Sequence, residues 1–311
     1  MKCTDAIAKR PSELARDLMR IGDLDGARKI AEEWIERAGS EGDSTERWRL
    51  RFIRARVLDA HGRVEEALSY LESLPPPLAD DIESRAVLKM YRGAYSGSLG
   101  RLRTAHQLLG EAEVMARDAA LLKLQGDVCL SRAFVFFLQK DYVSSDGMFR
   151  AALDIAGQVD GWYLQGHGLW GIGKNLMIQE HYEEAMLWLE ESLQIFRDAG
   201  ARLAIAMVWG ELAVCHLGLG GDQMALDLLE RAAQLEHRAG AIHNYQVSLA
   251  NIGNVYLHRR EYLAAISYYQ QALALAREIK DPVSIKKWTR NINLAYARIR
   301  QAVDQQNPRI A

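Results

Sequence analysis

Small residues recur along this chain at a fixed spacing. One position holds Ala15, Ala55, Gly93, Ala133, Gly173, Ala213 and Gly253, with successive members forty residues apart except for a step of 38 between Ala55 and Gly93. Twelve residues beyond each comes a second small residue: Ala27, Ala67, Ala105, Ser145, Ala185, Ala225 and Ala265. A third position, four further on, holds Ala31, Leu71, Leu109, Phe149, Leu189, Leu229 and Tyr269. A period of this length marks an array of like supersecondary units, each packed mainly on its neighbours. The chain of 311 residues, 49% hydrophobic, could otherwise form one to three ordinary domains, and the repeat replaces them with one elongated domain.

The units are helical. No proline lies between Pro77 and Pro282, which suits helix interiors throughout that span. Apolar residues recur at three- and four-residue spacing, as with Val247, Ala250, Ile252, Val255 and Tyr256 in the segment 242–258. Short breaks such as HRRE, GLGGD, QKD, SLGR and AHGR follow, and then a second helical run. Two helices joined by so few residues must turn back on each other. Gly253 and Ala265 then let two backbones approach, while Tyr256 and Tyr269 fill the space beside the contact. Leucine in place of such an alanine would overpack the hairpin, at a cost of about 1–3 kcal/mol.

These small sites, with a bulky residue three places after the first, resemble the tetratricopeptide repeat over roughly residues 8–303. The period of forty is similar to the longer-helix subtype in kinesin light chains, mitotic-spindle scaffolds with Leu-Gly-Asn repeats, and Rap-type peptide receptors. The resemblance implies an all-α fold, a right-handed α-solenoid of seven hairpins plus a C-terminal capping helix. The hairpins fall near 8–45, 46–83, 84–123, 124–163, 164–203, 204–243 and 244–281, with the cap at 282–303 and a disordered tail at 304–311. The cap is expected because Trp288, Ile292, Asn293 and Tyr296 continue a first-helix pattern without a second helix. Repeat 2 departs most, with Arg51 and Arg54 where apolar residues are expected. Three prolines in LPPPLADD, Leu74 to Asp81, mark either a longer loop or a hinge.

Other chemistries find little support. GHGLWG, Gly166 to Gly171, imitates a dinucleotide fingerprint, and GLWGIGKN, Gly168 to Asn175, imitates a phosphate loop with Asn175 in the magnesium-holding place. Both motifs need a preceding strand, and the repeat register puts them inside a helix. Gly166, Gly168 and Gly171 are left either to open space for a ligand or to soften the helix start. The eight histidines form no HExxH, and no nucleophile–base pair stands out, so no enzyme activity, cofactor or metal is expected. A net charge of −2 argues against a general nucleic-acid binder. Cys3, Cys129 and Cys215 form no CxxC pair and suit a reducing cytoplasm. The start MKCTDAIAKRP carries no apolar core for a signal peptide, and no apolar run reaches membrane-spanning length.

First helices of stacked hairpins line the concave face. The register places Lys9, Arg16 and Arg20 there from repeat 1, and Arg49, Phe52, Arg56 and Asp59 from repeat 2. Asp127, Leu130, Phe134 and Phe137 follow from repeat 4, and His167, Trp170, Lys174 and Met177 from repeat 5. Asn251, Asn254 and His258 come from repeat 7, with Lys287 and Arg290 from the cap. Three zones result. The basic zone suits an acidic peptide end or side chain, because guanidinium groups grip carboxylates bidentately; the alternative is a face balanced by nearby acids. Phe134, Phe137 and Trp170 form either an exposed hot spot or interior packing. Asn251 and Asn254 resemble the asparagines with which kinesin light chains and the spindle scaffolds hold a peptide backbone, although repeats 5 and 6 carry Gly171, Lys174, Glu211 and Val214 instead. The expected function is a scaffold binding a protein or peptide in the groove, and alanine at Asn254 or Trp170 is expected to weaken binding with little change in stability. The alternative is the sensing arm of a signalling system, beside a transcription regulator or caspase-like protease. Self-association through an uncapped first repeat is a further expectation.

Overall fold

In the computed structural model, residues 9–37, 44–159 and 161–306 are described. They form fifteen helices and no strand. These are α1 (Pro11–Ile21), α2 (Leu24–Arg37), α3 (Ser44–Ala60), α4 (Val64–Ser73), α5 (Ile82–Ser98), α6 (Leu102–Asp118), α7 (Leu122–Leu138) and α8 (Tyr142–Ala156). Then come α9 (Trp162–Ile178), α10 (Tyr182–Asp198), α11 (Arg202–Gly218), α12 (Asp222–Arg238), α13 (Ile242–His258), α14 (Tyr262–Glu278) and α15 (Pro282–Gln306). Each odd helix pairs with the even one after it, and successive hairpins stack into an all-α solenoid closed by α15.

The recurrent small residues sit where helices approach most closely. All seven second-site residues, Ser145 included, have no accessible surface. A Cβ added at Gly93, Gly173 or Gly253 would stand 2.8, 2.7 and 2.7 Å from Leu109, Leu189 and Tyr269, the third-site residues of the same hairpins. Ser145, the one hydroxyl among the alanines, is matched by Asn175, whose Nδ2 donates to Ser145 Oγ (3.1 Å). Asn175 is therefore a buried partner of a neighbouring repeat, and the phosphate-loop likeness is coincidental. Gly166, Gly168 and Gly171 neither open space nor soften a helix start. A Cβ at each would collide with Phe196, Leu153 and Phe149 respectively, so these glycines admit the large side chains of α8 and α10 against α9.

Turns obey the same regularity. Gly100, Ala120, Lys140, Glu180, Gly200, Gly220, Gly240, Arg260 and Lys280 all have positive φ, and stand at multiples of twenty. After α7 the amides of Lys140 and Asp141 return to the carbonyls of Phe137 and Phe136 at 2.9 and 3.0 Å. That left-handed residue satisfies the last carbonyls of the helix and reverses the chain.

Repeat 2 breaks the pattern and shows how. Arg51 lays its guanidinium 4.9 Å from the Trp48 ring, and Arg54 lies 4.6 Å from Tyr70, so stacking replaces aliphatic packing. Helix α4 has 10 residues where most others have 17, because the proline run begins at Pro75. The connector 74–81 is longer than the three-residue turns elsewhere, but not by enough to make up the loss, hence the shorter step of 38. Asp81 ends the connector by accepting from the Ser84 amide at 3.0 Å, which starts α5.

Cap helix α15 starts the same way, Asp281 accepting from the amides of Val283 (3.1 Å) and Ser284 (3.0 Å). Trp288, 1% exposed, closes the last core and donates to Gln246 Oε1 at 3.4 Å. The helix continues to Gln306, so 304–306, expected in the tail, are helical. The rest of the expected tail, 307–311, and Cys3 lie outside the described residues.

The solenoid also closes on itself. Helix α1 touches α11 and α3 touches α13, joining the first two repeats to the last two. Ala15, Leu24, Ala27 and Leu50 share one apolar cluster with Leu203, Ala239 and Ala241. Arg20 Nη1 donates to the Ala199 carbonyl at 3.0 Å across this seam. A Cβ at the Gly62 turn would press on Ile279 and His243, so the left-handed glycine there both makes its turn and lets α3 meet α13.

Candidate functional site: the enclosed inner face

Closure brings inner-wall residues of distant repeats toward one another. Packed helices lie about 8–10 Å apart, so repeats 2 and 5 of a straight stack would stand some three spacings from each other. Here Arg56 on α3 acts electrostatically on Tyr163 and His167 on α9, and Asp59 on α3 feels His243 on α13. Tyr163 keeps 36% of its surface accessible, yet desolvation pushes its hydroxyl up to about 12. Part of the Tyr163 surface therefore stays accessible although protein crowds its hydroxyl.

Five first helices supply the charged centre of that interior: Arg56 and Asp59 from α3, Tyr91 and Tyr95 from α5, Asp127 from α7, Tyr163 and His167 from α9, and His243 from α13. Burial pushes both aspartates up to about 6, against the opposing pull of His243 and Arg56 on Asp59 and of Lys123 and Arg56 on Asp127. Burial, and then Arg56, lower His167 to about 4, so its imidazole is neutral at ordinary pH. Aromatic contacts hold the wall in place: Phe52 to Tyr91 at 5.6 Å, Tyr91 stacked on Tyr95 at 5.9 Å, and Tyr163 to His167 at 4.3 Å.

The basic zone read from sequence is mostly neutralised. Lys9 and Arg20 both pair with Asp17, at 2.6 and 3.3 Å. Arg49 lies 3.8 Å from Glu46 and 3.9 Å from Glu83. Arg16 turns back, its Nε donating to the Ser12 carbonyl at 3.2 Å. Arg56 alone of the five has neither hydrogen bond nor ion pair among the described residues.

In the middle zone Phe134 stacks on Phe137 at 6.1 Å, and both are half-buried. Lys174 pairs with Glu211 at 2.5 Å, its ammonium 5.4 Å from the Phe137 ring and 4.9 Å from Trp170. Trp170 is only 9% exposed and belongs to the core cluster of α9, α10 and α11. Alanine there opens a cavity, so the expectation of unchanged stability does not hold for Trp170. In the last zone Asn254 Nδ2 donates to Asn251 Oδ1 (3.3 Å), and the Tyr269 hydroxyl donates to Asn254 Oδ1 (2.7 Å). His258 Nδ1 lies 2.8 Å from Asp222, and Arg290 is exposed on the cap. The twelve sequence candidates thus divide among the seam, the interior and the cap rather than meeting at one point.

Sequence reasoning placed Asp59, Asp127 and His167 on the inner face, but as a register without a centre. Tyr91, Tyr95, Tyr163 and His243 it did not find. They lie off the four register positions, and they meet Arg56 only because the solenoid closes, which no local pattern records.

Residues 248–283, the second part of α13 through α14 and into α15, match the family model described as tetratricopeptide repeat. The other hairpins repeat that unit in position and packing. Residues 248–283 thus form a tetratricopeptide repeat. Its shape is similar to that of a Rap protein complexed with competence and sporulation factor, with 17% identity over 93% of this chain and 86% of that one, at a TM-score of 0.63. NprR in complex with its cognate peptide NprX is similar at 14% identity, 96% and 86% coverage and a TM-score of 0.64. The signal-transduction ATPase of the STAND class from Pyrococcus horikoshii, which has a tetratricopeptide repeat sensor, is similar at 14% identity and a TM-score of 0.57. That match covers 94% of this chain and 49% of the ATPase. Among curated proteins, none matches by sequence. At these identities the likeness is one of fold. No described helix of this protein is long and apolar enough to cross a membrane.

Proposed function

We propose that the protein is a non-enzymatic receptor that encloses a short peptide within the ring formed by its first helices. The observation that carries this reading is that Arg56, Asp59, Asp127, Tyr91, Tyr163 and His167, from four first helices, lie within electrostatic reach of one another on the inner face. Polar and charged groups held on rigid helices around such a space suit an extended segment with its own backbone donors and acceptors. Two structures of similar shape were determined with competence and sporulation factor or with a cognate peptide, which supports the same reading. The aromatic pair Phe134 and Phe137, Lys174, and the Asn251–Asn254 pair would extend the contact along the wall, while Arg16, Arg20, Arg49, His258 and Arg290 would act at its rims.

Hydrogen–deuterium exchange with and without the peptide-sized fraction of a cell extract tests the reading. Slowed exchange in α3, α5, α7 and α9, with the outer helices unchanged, is the expected result. Protection confined to even-numbered helices, or none at all, would refute it.

A second reading has its own support. Among the described residues the seam joins the ends of the array through one small apolar cluster and the Arg20–Ala199 hydrogen bond, so opening it costs little compared with unfolding. A ligand that changes the seam would make the array the sensing arm of a signalling system, as the sensor name of the ATPase suggests for that protein. Small-angle scattering with bound peptide would then report a change in radius of gyration, and an unchanged radius would count against this reading.

A further inference from the structure

The turn between α12 and α13 forms the C-terminal side of the seam, and it hangs from a buried acid. Ala239 and Ala241 belong to the apolar cluster that joins the two ends of the array. A Cβ added at Gly22, in the turn after α1, would stand 3.6 Å from the Ala239 Cβ, and one added at Gly240 would stand 3.5 Å from His61 Nε2. The Ala241 amide donates to the Glu236 carbonyl at 2.9 Å, so this turn is fixed directly to Glu236. In repeats 3, 4, 5 and 7 the same register position holds Ala116, Ala156, Phe196 and Ala276. Glu236 is nonetheless 2% exposed, and its Oε2 has no hydrogen-bond partner. The Ser248 hydroxyl of α13 donates to the carboxyl, from a position where other repeats hold Leu88, Val128, Gly168 and Val208. A polar pair thus replaces apolar packing at the junction that presents the seam. A buried carboxyl with one unpartnered oxygen is accommodated there most easily as the neutral acid.

We infer that Glu236 is a proton-operated latch on the ring. As the neutral acid it keeps the α12–α13 junction packed and the ring closed; as the carboxylate it admits water to the junction and releases α1 and α3. The latch requires no ligand, so it stands apart from the peptide-receptor reading. Burial pushes Glu236 up to about 7, against the opposing pull of Ser248 and His243, both on α13. From α11, the other helix packed on α12, no titratable group among the described residues acts on it. Its own helix carries His237, whose ring lies 4.9 Å from Tyr245, and the exposed Arg238. Across the seam stand His61, against Gly240, and Asp59, which feels His243; His243 also lies 3.5 Å from Asp281. In water the carboxyl returns to its ordinary 4.5, so opening releases a proton and is favoured as pH rises. Raising pH from 6 to 8 then multiplies the open population about tenfold, and Asp59, at about 6 when buried and 3.8 in water, adds about twofold.

Hydrogen exchange of the full chain at pH 6 and pH 8 tests the latch, expressed as protection factors so that the intrinsic pH dependence divides out. In the wild type, protection of α1 should fall about tenfold or more between the two, while that of α8, which has no part in the seam, falls less. Glu236→Gln, neutral at every pH, should limit the fall in α1 to about twofold, the share of Asp59. Glu236→Ala, which places here the residue that repeats 3, 4 and 7 carry, should do the same and decides the matter if Glu236→Gln fails to fold. Ser248→Ala removes a donor that favours the carboxylate, and should move the loss of protection to higher pH. Three results would each overturn the latch: equal protection of α1 at both pH values in the wild type, a fall in the Glu236 variants as large as in the wild type, or a fall shared equally by α1 and α8.

Discussion

Repeats 3 to 7 and repeats 1 and 2 solve the same packing problem with different strictness. From α5 onward nearly every helix has 17 residues, left-handed turn residues stand at multiples of twenty, and the small-residue sites carry the contacts. In the first two repeats α1 has 11 residues and α4 has 10, arginines stack on Trp48 and Tyr70, and a proline-rich connector interrupts the spacing. The irregular part nevertheless makes the contacts that close the ring and contributes Arg56 and Asp59 to its centre. Regularity here builds the wall, and the departures from it decide how far the wall bends and what it presents.

The sharpest way to test that contrast is to overpack a small site in each part. Gly173→Leu would force a side chain into Leu189 and should cost about 3 kcal/mol, the upper end for overpacking, seen as a lower midpoint in urea. Gly62→Leu at the seam turn meets Ile279 and His243 and needs a positive φ, and its main effect should be an expanded ring by small-angle scattering. If the two variants lose equal stability and neither expands, the division between wall and seam is wrong.

Acidity acts next, and again near the seam. Burial pushes Glu236 up to about 7, and Asp59 and Asp127 up to about 6. A carboxylate whose folded pKa is raised binds protons more tightly in the folded state, so its stabilisation is complete at low pH and is lost as pH rises through the folded value. The groups facing Glu236 are Ser248 and His243. Asp59 faces His243, Arg56 and Tyr95, and Asp127 faces Lys123, Arg56 and Tyr91. His167 opposes part of the trend as pH falls through its ordinary 6.5, because the unfolded chain takes up protons that the folded chain refuses down to about 4. Between pH 8 and 6.5 stability should therefore rise by about 1 kcal/mol. Most of the rise belongs to Glu236, and thermal melts of Glu236→Gln should be nearly flat across that window. A wild type that is most stable at pH 8 contradicts the assignment.

Removing the Arg20 contact to the Ala199 carbonyl should cost about 1.5 kcal/mol, the lower end for one hydrogen bond from a charged donor, and should loosen α1 before any other helix in hydrogen exchange. The smallest effect belongs to the regular part. Lys140 and Glu180 hold positive φ without being glycine, so Lys140→Gly should leave the shape unchanged and raise stability by about 0.5 kcal/mol. A loss of stability there would mean that the lysine side chain contributes more than its backbone conformation costs.

Fold and site were unequally legible in the sequence. Spacing identifies helices because it records contacts between residues close in the chain: Gly253 meets Tyr269, and Ala15 packs within its own hairpin and the next. The basic zone was visible for the same reason, yet its charges could not be weighed, since Arg49 is balanced by Glu83 of the following repeat and Lys9 by Asp17. Asn175 looked like a defective phosphate loop until Ser145, thirty residues away, came beside it. What the period cannot express is contact between its own two ends. Arg20 meets Ala199 and Asp59 feels His243 only through the accumulated bend of every intervening hairpin, a sum of small angles that no single repeat encodes.

Joining the two ends has a thermodynamic consequence. A linear array unravels from its termini, because an end unit has one neighbour instead of two. In this protein the first hairpin leans on α11, so the end units share part of the protection that interior units enjoy. Damage confined to the last repeats should accordingly be felt first at the opposite end of the chain, where α1 would lose its backing and fray.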